Sequence, residues 1–90
     1  MSISITAPAM GQTVSSSFTS RGFADPTDTQ VNGILQRMGE TYPTGGVTGN
    51  VGEDTDWSLP ISSAPTGNWT LVVTSVDDPS SKGMVNITVQ

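Results

Sequence analysis

The run Trp69-Thr70-Leu71-Val72-Val73-Thr74-Ser75-Val76 decides the fold class. In an extended chain Trp69, Leu71 and Val73 fall on one face and Thr70, Val72, Thr74 and Val76 on the other, the period of two that defines a strand. Its β-branched and aromatic side chains suit a pleated, half-buried surface. Upstream, Trp57, Leu59 and Ile61 alternate with Ser58 and Pro60, and Ala64-Pro65-Thr66-Gly67-Asn68 supplies the turn between the two runs. Downstream, Asp77-Asp78-Pro79-Ser80-Ser81-Lys82-Gly83 reads as a polar hairpin-like connection. Val85, Ile87 and Val89 then close the chain as a last strand.

The N-terminal half reads less sharply. Ile3 and Ile5 alternate with Ser2, Ser4 and Thr6 until Pro8 stops a short edge-type strand, and Met10-Gly11-Gln12 forms a turn. From Val14 to Ala24 a second run places Phe18, Ser20, Gly22 and Ala24 on one face, before Asp25-Pro26-Thr27-Asp28 ends it. Residues 30–38 carry two readings. Val31, Ile34, Leu35 and Met38 stand at helical spacing, with Asp28 or Thr29 as a cap. Asn32 and Gly33 inside the segment, and strands on both sides, favour a strand. The Gly-rich stretch Tyr42 to Glu53 is a loop or a weak edge strand, a connection more than a ligand-binding loop.

Ninety residues allow one small domain, spanning 1–90 without internal repeat. Hydrophobic residues make up 33% and charged residues 12%, while Ser and Thr together number 25. Disorder combines low hydrophobicity with high net charge, so a chain this weakly charged is expected to fold. Short alternating runs punctuated by Gly, Pro and Asp predict an all-β protein, a small antiparallel β-sandwich of six to eight strands. Its core is expected from Phe18, Trp57, Leu59, Trp69, Leu71, Val73 and Ile87, with the two tryptophans each burying roughly 150–250 Å².

The segments Asp56-Trp57-Ser58-Leu59-Pro60-Ile61 and Ala64 to Asp78, with the opening Ile3-Ser4-Ile5-Thr6-Ala7-Pro8, resemble bacterial immunoglobulin-like domains. Those carry a buried Trp, a Pro-Gly turn and an aromatic-x-Leu-x-Val-x strand ending in Asp. The resemblance covers most of the chain and implies an immunoglobulin-like Greek key. Two departures stand out. Trp69 occupies a position where many relatives have Tyr, which removes the tyrosine-corner hydroxyl. Asp54-Thr55-Asp56 replaces an Asp-Gly-Thr turn.

The chain has no histidine and no cysteine, which excludes Ser-His-Asp and Cys-His catalysis, thiolate or imidazole metal sites, and disulfides. A formal net charge of -5 argues against nucleic acid and against anionic membrane surfaces. No apolar run reaches the ~20 residues of a membrane span. The N-terminus lacks the basic and apolar regions of a signal peptide, so the chain is expected either to derive from a longer precursor or to be made in the cytosol. Carboxylates gather at Asp25 and Asp28, at Glu53, Asp54 and Asp56, and at Asp77 and Asp78. Turn chemistry accounts for them, with Asp54 and Asp56 as the candidate ligands should calcium bind. Paired carboxylates without a sign of a cleft do not make a glycosidase. Ser80-Ser81-Lys82 offers consecutive side chains that diverge. Asn68-Trp69-Thr70 and Asn86-Ile87-Thr88 match the glycosylation sequon by chance in a Thr-rich chain. Tyr42 is the candidate exposed aromatic for a ligand.

These readings predict a non-catalytic module of a bacterial surface or secreted protein, without a required cofactor, its partner a protein or neighbouring domains. The alternatives are a virion capsid or tail decoration and a calcium- or carbohydrate-binding module.

Overall fold

The computed structural model describes residues 3–90; Met1 and Ser2, at the head of the first alternating run, lie outside them. Eight strands follow one another: β1 (Ser4–Ala7), β2 (Thr13–Val14), β3 (Phe18–Phe23), β4 (Gln30–Arg37), β5 (Glu40–Asn50), β6 (Asp56–Ile61), β7 (Gly67–Ser75) and β8 (Lys82–Val89). They form a three-stranded sheet, β1-β3-β6, and a five-stranded sheet, β2-β8-β7-β4-β5. Inward side chains from both sheets bury one shared core of a small β-sandwich.

The alternation read in the sequence is the alternation of burial. Along β6, Trp57, Leu59 and Ile61 are buried and Asp56, Ser58 and Pro60 exposed. Along β7, Trp69, Leu71 and Val73 face the core, and Val85, Ile87 and Val89 do so on β8. Phe18 is only partly buried and packs at the margin of the cluster.

One pairing departs from the expected all-antiparallel arrangement. β2 runs parallel to β8, with Thr13 opposite Thr88 and Val14 opposite Val89. The chain leaves β1 and crosses to the other sheet without reversing direction, so it meets β8 travelling the same way. Thr88 and Gln90 donate their N–H groups to the carbonyls of Gln12 and Val14 at 3.0 and 2.9 Å, extending this short ladder.

Residues 30–37 are a strand, paired to β7 on one side and β5 on the other. Val31 and Leu35 are inward and fully buried. Ile34 turns to the outer face opposite Val72, and Met38 sits fully exposed at the β4–β5 turn. The helical spacing therefore comes from positions that do not share a face. The Gly-rich stretch is likewise a strand, β5, the edge of the larger sheet. Gly33 pairs with Val47 and Leu35 with Tyr42, so Pro43 to Gly46 bulge out opposite Ile34 alone. Gly45 and Gly46 take φ of 83° and 81° there, which only glycine adopts without strain.

A close approach also fixes Gly22. A Cβ at this position would collide with the Ser4 carbonyl and lie 2.6 Å from Cζ2 of Trp57. Hydrogen at this one position lets the indole lie against β3 while β1 pairs on its other side.

The corner joining β6 to β7 is held by side chains from three strands. The Trp69 indole donates to the Pro65 carbonyl at 2.8 Å, the Tyr42 hydroxyl to Ser62 at 2.6 Å, and Arg37 to Thr66 at 3.2 Å. The indole thus makes a corner bond that the absence of tyrosine at position 69 was expected to remove.

Candidate functional site

Strand directions place Ile3, the start of β4, the start of β6 and the start of β8 at one pole of the sandwich, and Gln90 at the other. Three loops, 24–29, 51–55 and 76–81, meet at the first pole. Val51 donates to the Thr29 carbonyl at 2.9 Å and Ala24 to Thr55 at 2.8 Å. Seven of the eight acidic residues lie in or beside these loops: Asp25, Asp28, Glu53, Asp54, Asp56, Asp77 and Asp78.

Several of these carboxylates work within the fold. Asp28 is buried and accepts from the Ser75 hydroxyl at 2.7 Å and the Asp25 amide at 3.1 Å. Asp77 accepts from the Thr29 amide at 2.6 Å and from its hydroxyl at 2.8 Å. Those bonds, the amide first, hold the Asp77 carboxyl below its ordinary pKa. Asp78 is lowered in the same sense by the Ser80 hydroxyl and then the Ser80 amide. Asp54 and Asp56 are exposed, and among the described residues no three acidic groups converge to hold a metal ion.

Beside this pole, the outer face of the three-stranded sheet bears an open cleft of about 490 Å³. Arg21 and Phe23 rise from β3 and Asp56 from β6, with Phe23 opposite Asp56 in register. Asn50, at the end of β5, forms a rim, and Trp57 contributes to the lining. The Trp57 indole N–H is buried with no hydrogen-bond partner among the described residues. Phe23 is 49% exposed and stands outside the core cluster.

Tyr42, the expected exposed aromatic, is half-buried against the core with its hydroxyl committed to Ser62. It lies away from the cleft, as does Trp69. Sequence reasoning singled out Asp56 and Trp57 but missed Arg21, Phe23 and Asn50. Only the outward parity of Arg21 and Phe23 on β3 was a signal for them.

The two sequon-like triplets have a structural reason. Thr88 donates to Asn68 Oδ1 at 2.8 Å and Thr70 to Asn86 Oδ1 at 2.9 Å. Each triplet supplies one Asn and one Thr to reciprocal cross-strand pairs on the outer face.

No family model matches the sequence, and no curated protein matches it. Among solved structures, the fold is similar to the crystal structure of domains 4 and 5 of the S-layer protein SbsC, with a TM-score of 0.58 and 13% identity. The match covers 99% of this chain and 44% of that one, so the chain spans less than half the length of the structure it resembles.

Proposed function

We propose that this domain is a non-catalytic, immunoglobulin-like structural module of a bacterial cell-surface protein. The observation that carries the reading is the order of the strands in the two facing sheets. The sheet orders β1-β3-β6 and β8-β7-β4 resemble the ABED and CFG sheets of an immunoglobulin constant-type sandwich, with strand D missing, the first strand divided between the sheets and β5 added at the edge beside β4. The corner bond of Trp69 takes the place of the tyrosine corner of that fold. Similarity to domains of an S-layer protein supports a surface setting, and the lack of histidine and cysteine removes Ser-His-Asp and Cys-His catalysis.

An antibody raised against the domain tests this on intact cells of the source organism. Labelling of intact cells that protease shaving removes is the expected result. Labelling restricted to permeabilised cells, or to purified virions, overturns it.

A further inference from the structure

The cleft on the three-stranded sheet gathers groups that folding leaves unused. Arg21 makes no hydrogen bond or ion pair among the described residues, and neither does the Asp56 carboxylate. Asn50 accepts from Gln30 Nε2 at 3.1 Å through its oxygen, which leaves its amide N–H groups free to donate. Trp57 lines the cleft, and its buried indole N–H has no hydrogen-bond partner among the described residues, a rare condition for a polar group in a folded core. Phe23 stands half-exposed opposite Asp56. The volume, about 490 Å³, falls within the ~300–1,000 Å³ of small-molecule sites.

We infer that this cleft binds a neutral saccharide, with a pyranose unit stacked on Phe23 and its hydroxyls bridging Arg21, Asn50 and Asp56. Sugar hydroxyls donate and accept at once, and the site offers both donors and a carboxylate acceptor beside an apolar ring. An anion would meet Asp56 and the acidic loops of the adjoining pole. A cation would meet Arg21. A purely apolar ligand would desolvate both charges without pairing them, which costs more than the ring contact returns. The inference rests on these groups alone and holds whether or not the module belongs to a cell surface.

The test is calorimetric titration of the folded domain with cellohexaose, laminarihexaose, xylohexaose, mannohexaose and chitohexaose, with polygalacturonate as the anionic comparison. Trp57 emission in a Trp69→Phe background is followed in parallel, so that the signal arises beside the cleft. At least one neutral hexasaccharide is expected to bind saturably. Phe23→Ala, Arg21→Gln and Asp56→Asn are each expected to weaken it about tenfold or more, the loss of one good polar or stacking contact. Arg21→Gln and Asp56→Asn alter exposed side chains, so they keep the test decisive if Phe23→Ala fails to fold. Three results overturn the inference: no saturable binding up to about 10 mM, where a 1 mM site is nearly filled; affinity unchanged in the variants; or tighter binding of polygalacturonate than of any neutral chain.

Discussion

The guanidinium of Arg37 stands 3.9 Å from the ring centroid of Trp69. From there it reaches the Thr66 carbonyl and, on its other side, Glu40 at 3.0 Å. One side chain thus covers the core indole, ties down the β6–β7 corner and braces the β4–β5 turn. The ion pair is the least of these, because both partners are substantially exposed and water screens them. The ring contact, partly desolvated, is worth about 0.5–2 kcal/mol. Arg37→Ala is therefore expected to lower stability by about 1–2 kcal/mol, a fall in Tm of roughly 4–16 °C for a domain of this size. Glu40→Ala should cost under about 0.5 kcal/mol. Urea denaturation of the two variants checks this, and equal losses would assign the effect to the ion pair.

Tyr42 supplies a second clamp on the same corner. Its ring packs on the core margin while its hydroxyl binds Ser62 at 2.6 Å. Tyr42→Phe keeps the ring and removes only that bond, so a loss of about 0.5–1.5 kcal/mol is expected, toward the low end because water reaches the site. The same variant should leave saccharide binding in the cleft unaltered. A loss of binding without a loss of stability would make Tyr42 a ligand contact instead.

What the sequence shows and hides follows from what each residue touches. The strand β6 was legible because one face is buried and the other wet, and β7 because Trp69, Leu71 and Val73 face the core while Thr70 and Thr74 mark the outer face, so both write a period of two into the chain. The strand β4 was ambiguous because Ile34 sits on the outer face, covered by Val72, and adds an apolar residue out of phase. The strand β5 read as either a loop or a weak edge strand because its pairing is a backbone property, while its side chains mark only the Pro43–Gly46 bulge. The parallel β2–β8 pairing joins residues some seventy-five positions apart, and no local pattern encodes it. The cleft was hidden for the same reason. Phe23 meets Asp56 only through the β3–β6 register, and Asn50 arrives from the other sheet.

Thr55, in the turn before β6, has a φ of 65°. A β-branched residue in this left-handed region is strained, by about 1–2 kcal/mol for an L-residue. Its hydroxyl recovers part of this by donating to the Asp54 carbonyl at 2.5 Å. Glycine would remove the strain but would also gain freedom in the unfolded chain, which offsets some of the benefit. Thr55→Gly is expected to stabilise by roughly 0.5–1 kcal/mol, a rise of about 2–8 °C in Tm. A fall in Tm would show that the hydroxyl contact outweighs the backbone strain.

The Asp77–Thr29 pair sets a dependence on acid. Both bonds from Thr29 favour the ionised carboxylate, so the folded-state pKa lies below the ordinary 3.8 while the unfolded chain keeps that ordinary value. Between the two values the unfolded state holds more protons, and stability rises with pH. The contribution is therefore complete above the unfolded pKa and is lost as pH falls through the folded one. Asp78, lowered by Ser80, acts in the same direction. Because every carboxylate titrates over this range in the unfolded chain, the difference between two proteins isolates the pair better than either melt alone. Asp77→Asn is expected to melt below the unaltered protein at pH 7, with the gap narrowing steadily below about pH 4. Thr29→Val, which removes the hydroxyl but keeps the amide, should show a smaller gap that closes over the same range. A gap independent of pH down to about pH 2 would mean that Asp77 contributes through its shape and neutral hydrogen bonds, not through its charge.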